Sequence, residues 1–254
     1  MSLLLASRAA AELDTLTQTE ALDCSGAEII VRVLAEQGVD VVFGYSGGAI
    51  LPTFDAIYRY NLAHSGDATE AMRLVVPANE QGAAFMAAGY TRASGRVGVA
   101  LVTSGPGATN TVTAVRDCMA DSIPIVVICG QVPTHMIGSD SFQEAPISSI
   151  MGNCAKHVFL VTDPSKLEAS VRSAFEIARS GRPGPVVIDV PKDMQNWRGP
   201  WNGHERLPLP GFRAQLRAQS QPLTSMEIAA FQRLLERSRR PIVDLHRNLS
   251  RDLH

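Results

Sequence analysis

The strongest constraint in this sequence is a repeated alternation. Short apolar, β-branched runs occur at residues 41–43, 74–76, 97–102, 125–129, 158–161 and 186–190, with helix signals between them. Several of these runs are apolar throughout, so both of their faces must be covered. Strand and helix in regular succession dictate an α/β fold: a doubly wound, mostly parallel sheet with helices on both faces. Ser25 with Glu28 forms a capping box, Ile29, Ile30, Val33 and Leu34 make the buried stripe behind it, and Gly38 is a natural stop. Ser165 with Glu168 reads as a second capping box, for a helix that ends before Gly181.

The pattern changes after Asp193. Pro200, Pro208, Pro210 and Pro222 punctuate an irregular stretch, Thr224 and Glu227 cap a helix through about Arg237, and Pro241-Ile242-Val243 reads as a new strand. The expected division is a poorly ordered lead-in over 1–22, one domain over 23–195, a linker over 196–223 and the incomplete start of another domain over 224–254. The chain has 254 residues, 45% of them hydrophobic, enough for a sizeable core. With 23 Lys and Arg against 25 Asp and Glu, no basic surplus points to nucleic acid. No apolar run reaches the roughly 18 residues of a membrane span. The patch Leu3, Leu4, Leu5 has no basic residue before it and acidic Glu12 and Asp14 after it, so a targeting peptide is not expected. Cys24, Cys118, Cys129 and Cys154 show no C-x-x-C spacing and read as reduced thiols of a cytoplasmic protein.

Five segments could carry chemistry, and each also has a plain reading. Gly44-Tyr45-Ser46-Gly47-Gly48-Ala49 follows a strand and opens a helix, where open α/β sheets bind ligands; it lacks G-x-G-x-x-G spacing and could be a tight turn. Asn79 can cap the next helix, which puts Glu80 in its first turn, a place where any carboxylate is stabilised. The segment from Ser104 through Gly105, Pro106, Gly107 and Ala108 to Asn110 exposes backbone N–H groups to an anion or a ring edge, or is an ordinary turn. Asp140-Ser141-Phe142-Gln143-Glu144 reads as a solvated loop, and Gly181-Arg182-Pro183-Gly184-Pro185 with Pro191-Lys192-Asp193 as turns at the two ends of one strand.

In this order, SGPGATN, DSIPIV, GQVP, DSFQE and GRPGPVVIDVPKD resemble the acetolactate synthase family of thiamine-diphosphate enzymes, over about residues 25–195. The resemblance implies that Glu80 hydrogen-bonds N1′ of the cofactor's aminopyrimidine and promotes loss of the C2 proton. It assigns Gly48 beside the thiazolium, Gln143 near the reacting carbon, Lys192 near the active site, and Phe142 in the substrate channel. Ser122, Pro106 and Asn110 fall near the cofactor, and Arg182 matches an arginine that contacts FAD. The implied reaction decarboxylates pyruvate and joins the two-carbon unit to a second 2-keto acid. Thiamine diphosphate would meet this chain by its pyrimidine end, with Mg²⁺ and FAD expected only for a complete enzyme and no metal site here.

The chain departs from the family pattern at Ser46, usually Pro, at Asn79, usually His, at His135, often Arg, and in extra length around residues 61–71. After Val243 it leaves the pattern altogether, which reads as a truncated or frameshifted gene. The isolated chain is therefore expected to be inactive. It is expected to form a homo-oligomer or to pair with a complete subunit, with a possible regulatory subunit, and without nucleic acid or membrane. Its small and apolar helix residues (Ala83, Ala84, Phe85, Met86, Ala87, Ala88, Ala108, Val112, Val115) are expected to leave an apolar face exposed. The rival readings are another thiamine-diphosphate decarboxylase, oxidase or acetyltransferase, and a non-catalytic fragment or dimerisation module.

Overall fold

The computed structural model describes residues 22–66, 71–209 and 222–241. The order of elements is β1 (Asp23–Ser25), α1 (Gly26–Glu36), β2 (Val41–Tyr45), α2 (Leu51–Ala63), β3 (Arg73–Val75), α3 (Glu80–Ser94), β4 (Gly98–Val102), α4 (Pro106–Thr109) and α5 (Val112–Ala120). It continues with β5 (Ile125–Gln131), α6 (Ile147–Gly152), β6 (His157–Leu160), α7 (Leu167–Arg179), β7 (Val186–Pro191), α8 (Lys192–Asn196), β8 (Arg198–Pro200) and α9 (Ser225–Arg237). The six central strands form one sheet in the order β3-β2-β4-β5-β7-β6, and every pairing in it is parallel.

The apolar runs divide residue by residue between two cores. Val42, Val99, Leu101, Val126, Ile128, Val186 and Ile188 pack with α1, α2 and α7. Val41, Phe43, Ala100, Val102, Ile125, Val127 and Val187 pack on the other face with α3, α5 and α6. This is the period of two of a strand, with both phases apolar. The helices lie where right-handed crossovers require them. The two connections that run backwards along the sheet, β2 to β3 and β6 to β7, use α2 and α7 on one face. The forward connections use α3, α5 and α6 on the other. A capping box is worth about 1 kcal/mol, whereas burying one Val, Leu or Ile side chain is worth about 1.5–3 kcal/mol. The two-phase apolar pattern therefore fixes the topology, and the caps set where helices begin.

The capping boxes at Ser25/Glu28 and Thr224/Glu227 form as expected. The one expected at Ser165 does not. Asp163 caps a single 3₁₀ turn over Pro164–Lys166, and α7 begins at Leu167. Glu168 instead turns inward, 3% exposed, and accepts from Arg172 Nε at 2.8 Å and from the Glu205 N–H at 3.2 Å. The stretch from 196, expected to be irregular, starts with β8 paired antiparallel to β1. The Asp23–Arg198 ion pair at 2.9 Å and the Trp201 ring beneath the Arg172 guanidinium at 5.3 Å hold it there. The expected exposed alanine face is also corrected: Ala83, Ala84, Ala87, Ala88, Ala108 and Val115 are buried against the sheet, and of α3 only Phe85 and Met86 among the large apolar side chains face outward. Near the extra length, the Asn61 side chain at the end of α2 exchanges two hydrogen bonds of 2.8 Å with the Met72 backbone. The lead-in and the strand expected from Ile242 lie outside the described residues.

Among the described residues, one carboxyl group sits buried inside the sheet. Asp189 in β7 is 1% exposed; its Oδ2 accepts from Gln131 Nε2 at 3.1 Å, and its Oδ1 has no partner among the described residues. Burial pushes its pKa up to about 7, from an ordinary 3.8. The folded state thus holds this proton to a higher pH than the unfolded state does. Stability falls as pH climbs from about 4 to about 7 and is unaffected by this group below that window. The full penalty is on the order of 4 kcal/mol at about 1.36 kcal/mol per unit. Asp189→Asn is expected to raise the melting temperature at pH 8 and to flatten the decline between pH 4 and 7. Parallel pH profiles for variant and parent, followed by circular dichroism, would contradict this.

Candidate functional site

The sheet reverses its winding between β2 and β4, since β2 leads outward to β3 and the chain returns on the far side of β2. The crevice beyond the carboxyl ends at such a reversal is where open α/β sheets bind ligands. The turns after β2, β3 and β4 all open there, and they carry three of the sequence motifs.

Glu80 is the first residue of α3. Asn79 is extended and caps the helix, its Oδ1 accepting from the Gly82 N–H at 2.8 Å, so Glu80 is delivered into the first turn. Its Oε2 accepts from Asn110 Nδ2 at 2.8 Å, which ties α3 to the Gly-Pro-Gly turn. Gly107 is pressed into the same place: a Cβ there would lie 3.2 Å from Glu80 Oε1 and 2.6 Å from the Thr103 methyl group. Only a residue without a side chain lets the turn lie this close to the carboxylate.

Gln143 comes to the same turn from a distant part of the chain. Gly105 has φ +52° and Gln143 has φ +58°, and a Cβ at Gly105 would strike the Gln143 carbonyl. A non-glycine residue in that region costs on the order of 1–3 kcal/mol and persists only where its surroundings enforce it. The enforcement comes from Glu144, whose carboxylate accepts from the Gly138 N–H, from the Ser141 N–H at 3.1 Å and from the Ser141 hydroxyl at 3.2 Å. These bonds, the Gly138 N–H foremost, hold the Glu144 pKa below its ordinary value. Asp193 fixes the start of the loop by accepting from the Thr134 N–H at 3.0 Å, and Gln131 Nε2 fixes its end by donating to the Ala145 carbonyl at 3.2 Å. Phe142 is left 88% exposed at the loop's tip.

Gly48 differs from Gly44, Gly47, Gly105 and Gly107 in the crevice turns. A Cβ there would meet nothing within 4 Å, so its own chain gives no packing reason for a glycine. Its exposed backbone faces open space at the crevice. Lys192, half-buried, begins α8 at the carboxyl end of β7 and so lies on the same edge of the sheet. Pro106 and Asn110 are exposed on the Gly-Pro-Gly turn itself.

Ser122 and Arg182 are not brought to this crevice within one chain. They precede β5 and β7, at the amino edge of the parallel sheet, a strand's length of roughly 20 Å from the carboxyl edge at about 3.3 Å per residue. Arg182 donates to the Ser122 hydroxyl at 2.9 Å and to the Met119 and Ala120 carbonyls at 2.9 Å, closing the end of α5. Ser122 has φ +59°. Burial pushes the Cys118 thiol up to about 12 and the Cys129 thiol well above its ordinary value, so neither is a nucleophile at neutral pH. Among the described residues, no group of three or more His, Cys, Asp or Glu is placed to hold a metal ion, and no helix is long and apolar enough to cross a membrane.

Thr103, Gln131 and Gln195 were not candidates from the sequence. Gln131 and Thr103 stand at the ends of apolar runs, the one signal that could have marked them. Thr103 is 6% exposed, and its hydroxyl has no partner among the described residues.

Similarity to known proteins agrees with this geometry. The chain is 43% identical over 218 residues to acetolactate synthase 3, chloroplastic, of Brassica napus, covering 86% of this chain and 32% of that protein. It is 49% identical over 176 residues to the mitochondrial acetolactate synthase catalytic subunit of Saccharomyces cerevisiae, covering 69% of this chain and 24% of that protein. It is 44% identical over 189 residues to the acetolactate synthase large subunit of Corynebacterium glutamicum, covering 74% and 29%. The chain thus spans about a third or less of the length of these curated relatives. The family described as thiamine pyrophosphate enzyme, N-terminal TPP binding domain, matches residues 24–150, half of the chain and the part that carries β2, Glu80 and the Gly-Pro-Gly turn. On that match and this architecture, the chain belongs to the N-terminal TPP-binding domain family of thiamine pyrophosphate enzymes.

Proposed function

We propose that this chain supplies the pyrimidine-binding part of an acetolactate-synthase-type carboligase, which takes pyruvate and a second 2-keto acid. The observation that carries the proposal is the Glu80 carboxylate, bonded to Asn110 at 2.8 Å and lying over Gly107, where a Cβ would come within 3.2 Å of it. A flat ring edge fits such a cradle: glycine backbone allows close approach, and Glu80 Oε1 keeps lone pairs for a ring nitrogen. When bound, thiamine diphosphate supplies the electron sink for decarboxylation of the 2-keto acid.

The chain's own residues do the rest. Glu80 holds a proton at the ring nitrogen, and Asn110 fixes the direction of that carboxyl group. Gly48 would offer open backbone to the ring system, and Gln143 and Lys192, on the same edge of the sheet, would serve the reacting end. Mg²⁺, FAD, a further subunit and a cytoplasmic location belong to the same proposal for the complete enzyme. The names of the relatives favour a synthase over an oxidase or a plain decarboxylase, and product analysis separates these.

The test fuses this segment to the remainder of a complete relative and compares Glu80→Gln with the parent. Glutamine keeps the size and the Asn110 contact but cannot exchange the carboxyl proton. Exchange of the cofactor's C2 proton is expected to slow by roughly two to four orders of magnitude, with a stability change of about 1 kcal/mol or less. Unchanged exchange with a lowered melting temperature would return Glu80 to a plain helix-terminus carboxylate.

A further inference from the structure

The turn after β2 has no capping side chain of its own. Helix α2 starts behind Ile50, whose side chain cannot cap a first helical turn; only its backbone carbonyl accepts there, from the Thr53 N–H at 3.0 Å. Two features hold this turn from outside. Gly130 in β5 lies flat against it, since a Cβ at Gly130 would come within 2.6 Å of the Ala49 carbonyl carbon and oxygen. Gln195 in α8 is the other. It is 0% exposed, and its Nε2 donates to the Ala49 carbonyl at 2.8 Å and to the Val190 carbonyl at 3.0 Å. Its Oε1 accepts from the Thr53 hydroxyl at 2.9 Å, and Thr53 is also fully buried. The orientation of the amide is forced, because two of its partners are carbonyls that can only accept.

We propose that Gln195 is a positioning residue that clamps the turn carrying Gly47 and Gly48, so that the exposed Gly48 backbone is presented in one conformation. The clamp stands on geometry alone, and its meaning for catalysis rests on the thiamine-diphosphate reading. A buried glutamine that served only to fill the core would give stability without local control of the turn. An amide bonded to the Ala49 carbonyl ties the turn to β7 and α8, elements more than a hundred residues away in the chain. The turn would then move with the carboxyl edge of the sheet as one body.

Amide hydrogen exchange on the full chain tests this. The Ile50 and Leu51 N–H groups both donate to the Gly47 carbonyl at 3.1 Å and report on the turn. In Gln195→Met, which keeps the volume and loses the donors, both are expected to exchange about tenfold faster, with little change in β4 and β5. Gln195→Asn, one methylene too short to reach Ala49, gives the same readout if the Met variant does not fold. Thr53→Val removes the bond to Oε1 but leaves both donors, so it is expected to lower the melting temperature without speeding Ile50 and Leu51. Equal acceleration in Thr53→Val, or slow exchange at Ile50 and Leu51 in both Gln195 variants, would overturn the clamp. Titration of the parent with thiamine diphosphate separates the two claims. No binding by the parent together with fast local exchange in Gln195→Met supports the clamp and removes its proposed catalytic meaning.

Discussion

Burial of the central strands β4, β5 and β7 on both faces leaves their ends as the places where their backbone can meet a ligand. β4, β5 and β7 are buried along their whole length, with α1, α2 and α7 on one side and α3, α5 and α6 on the other. All six strands of this sheet are parallel, so their carboxyl ends open on one edge. Glu80, Gly48, the Gly-Pro-Gly turn and Lys192 share that edge because of this arrangement, despite their separation in the chain. Had one strand run antiparallel, its motif would have been sent to the other edge.

That edge is organised by polar side chains, buried at Gln131 and Gln195 and half-buried at Asp193 and Glu144. Gln131, Asp193 and Gln195 each reach from β5 or α8 to a loop and hold a carbonyl or an N–H of its backbone. Glu144 does the same within its own loop. Gln131, Asp193 and Glu144 together hold the loop in which Gln143 keeps its left-handed conformation against Gly105, while Gln195 holds the turn after β2. The same economy of space leaves groups unpaired: Thr103 and Asp189 each keep a buried oxygen without a partner among the described residues. A core optimised for stability alone would replace both with apolar side chains.

Much of the fold was legible in the sequence because it follows from periodicity. Two apolar phases in the runs at 97–102 and 125–129 required a covered parallel sheet, and Ser25, Asn79 and Thr224 announced their helices by capping chemistry. The errors came where tertiary contacts outweighed local signals. Ser165 lost its cap to Asp163 once Pro164 set a 3₁₀ turn and Glu168 found Arg172. Residues 198–200 became a strand because β1 offered them a partner. The alanines of α3 look like an exposed face in one dimension and are the surface that meets the sheet. For the site, spacing marked the glycine turns and Glu80. It could not show that Gln143 folds back on Gly105, which depends on long-range contacts; that Ser122 and Arg182 precede strands of a parallel sheet, and so lie on its opposite edge, was within its reach.

The central claim is that one edge of the sheet forms a pyrimidine-ring site around Glu80. It is tested most directly by titrating the isotope-labelled chain with thiamine diphosphate and following backbone amide chemical shifts. The account predicts concentration-dependent shifts at Gly48, Glu80, Gly105, Gly107, Asn110 and Gln143, with Ser122 and Arg182 unchanged. Shifts confined to Ser122 and Arg182, or no shifts at the Glu80 edge at saturating cofactor, would contradict it.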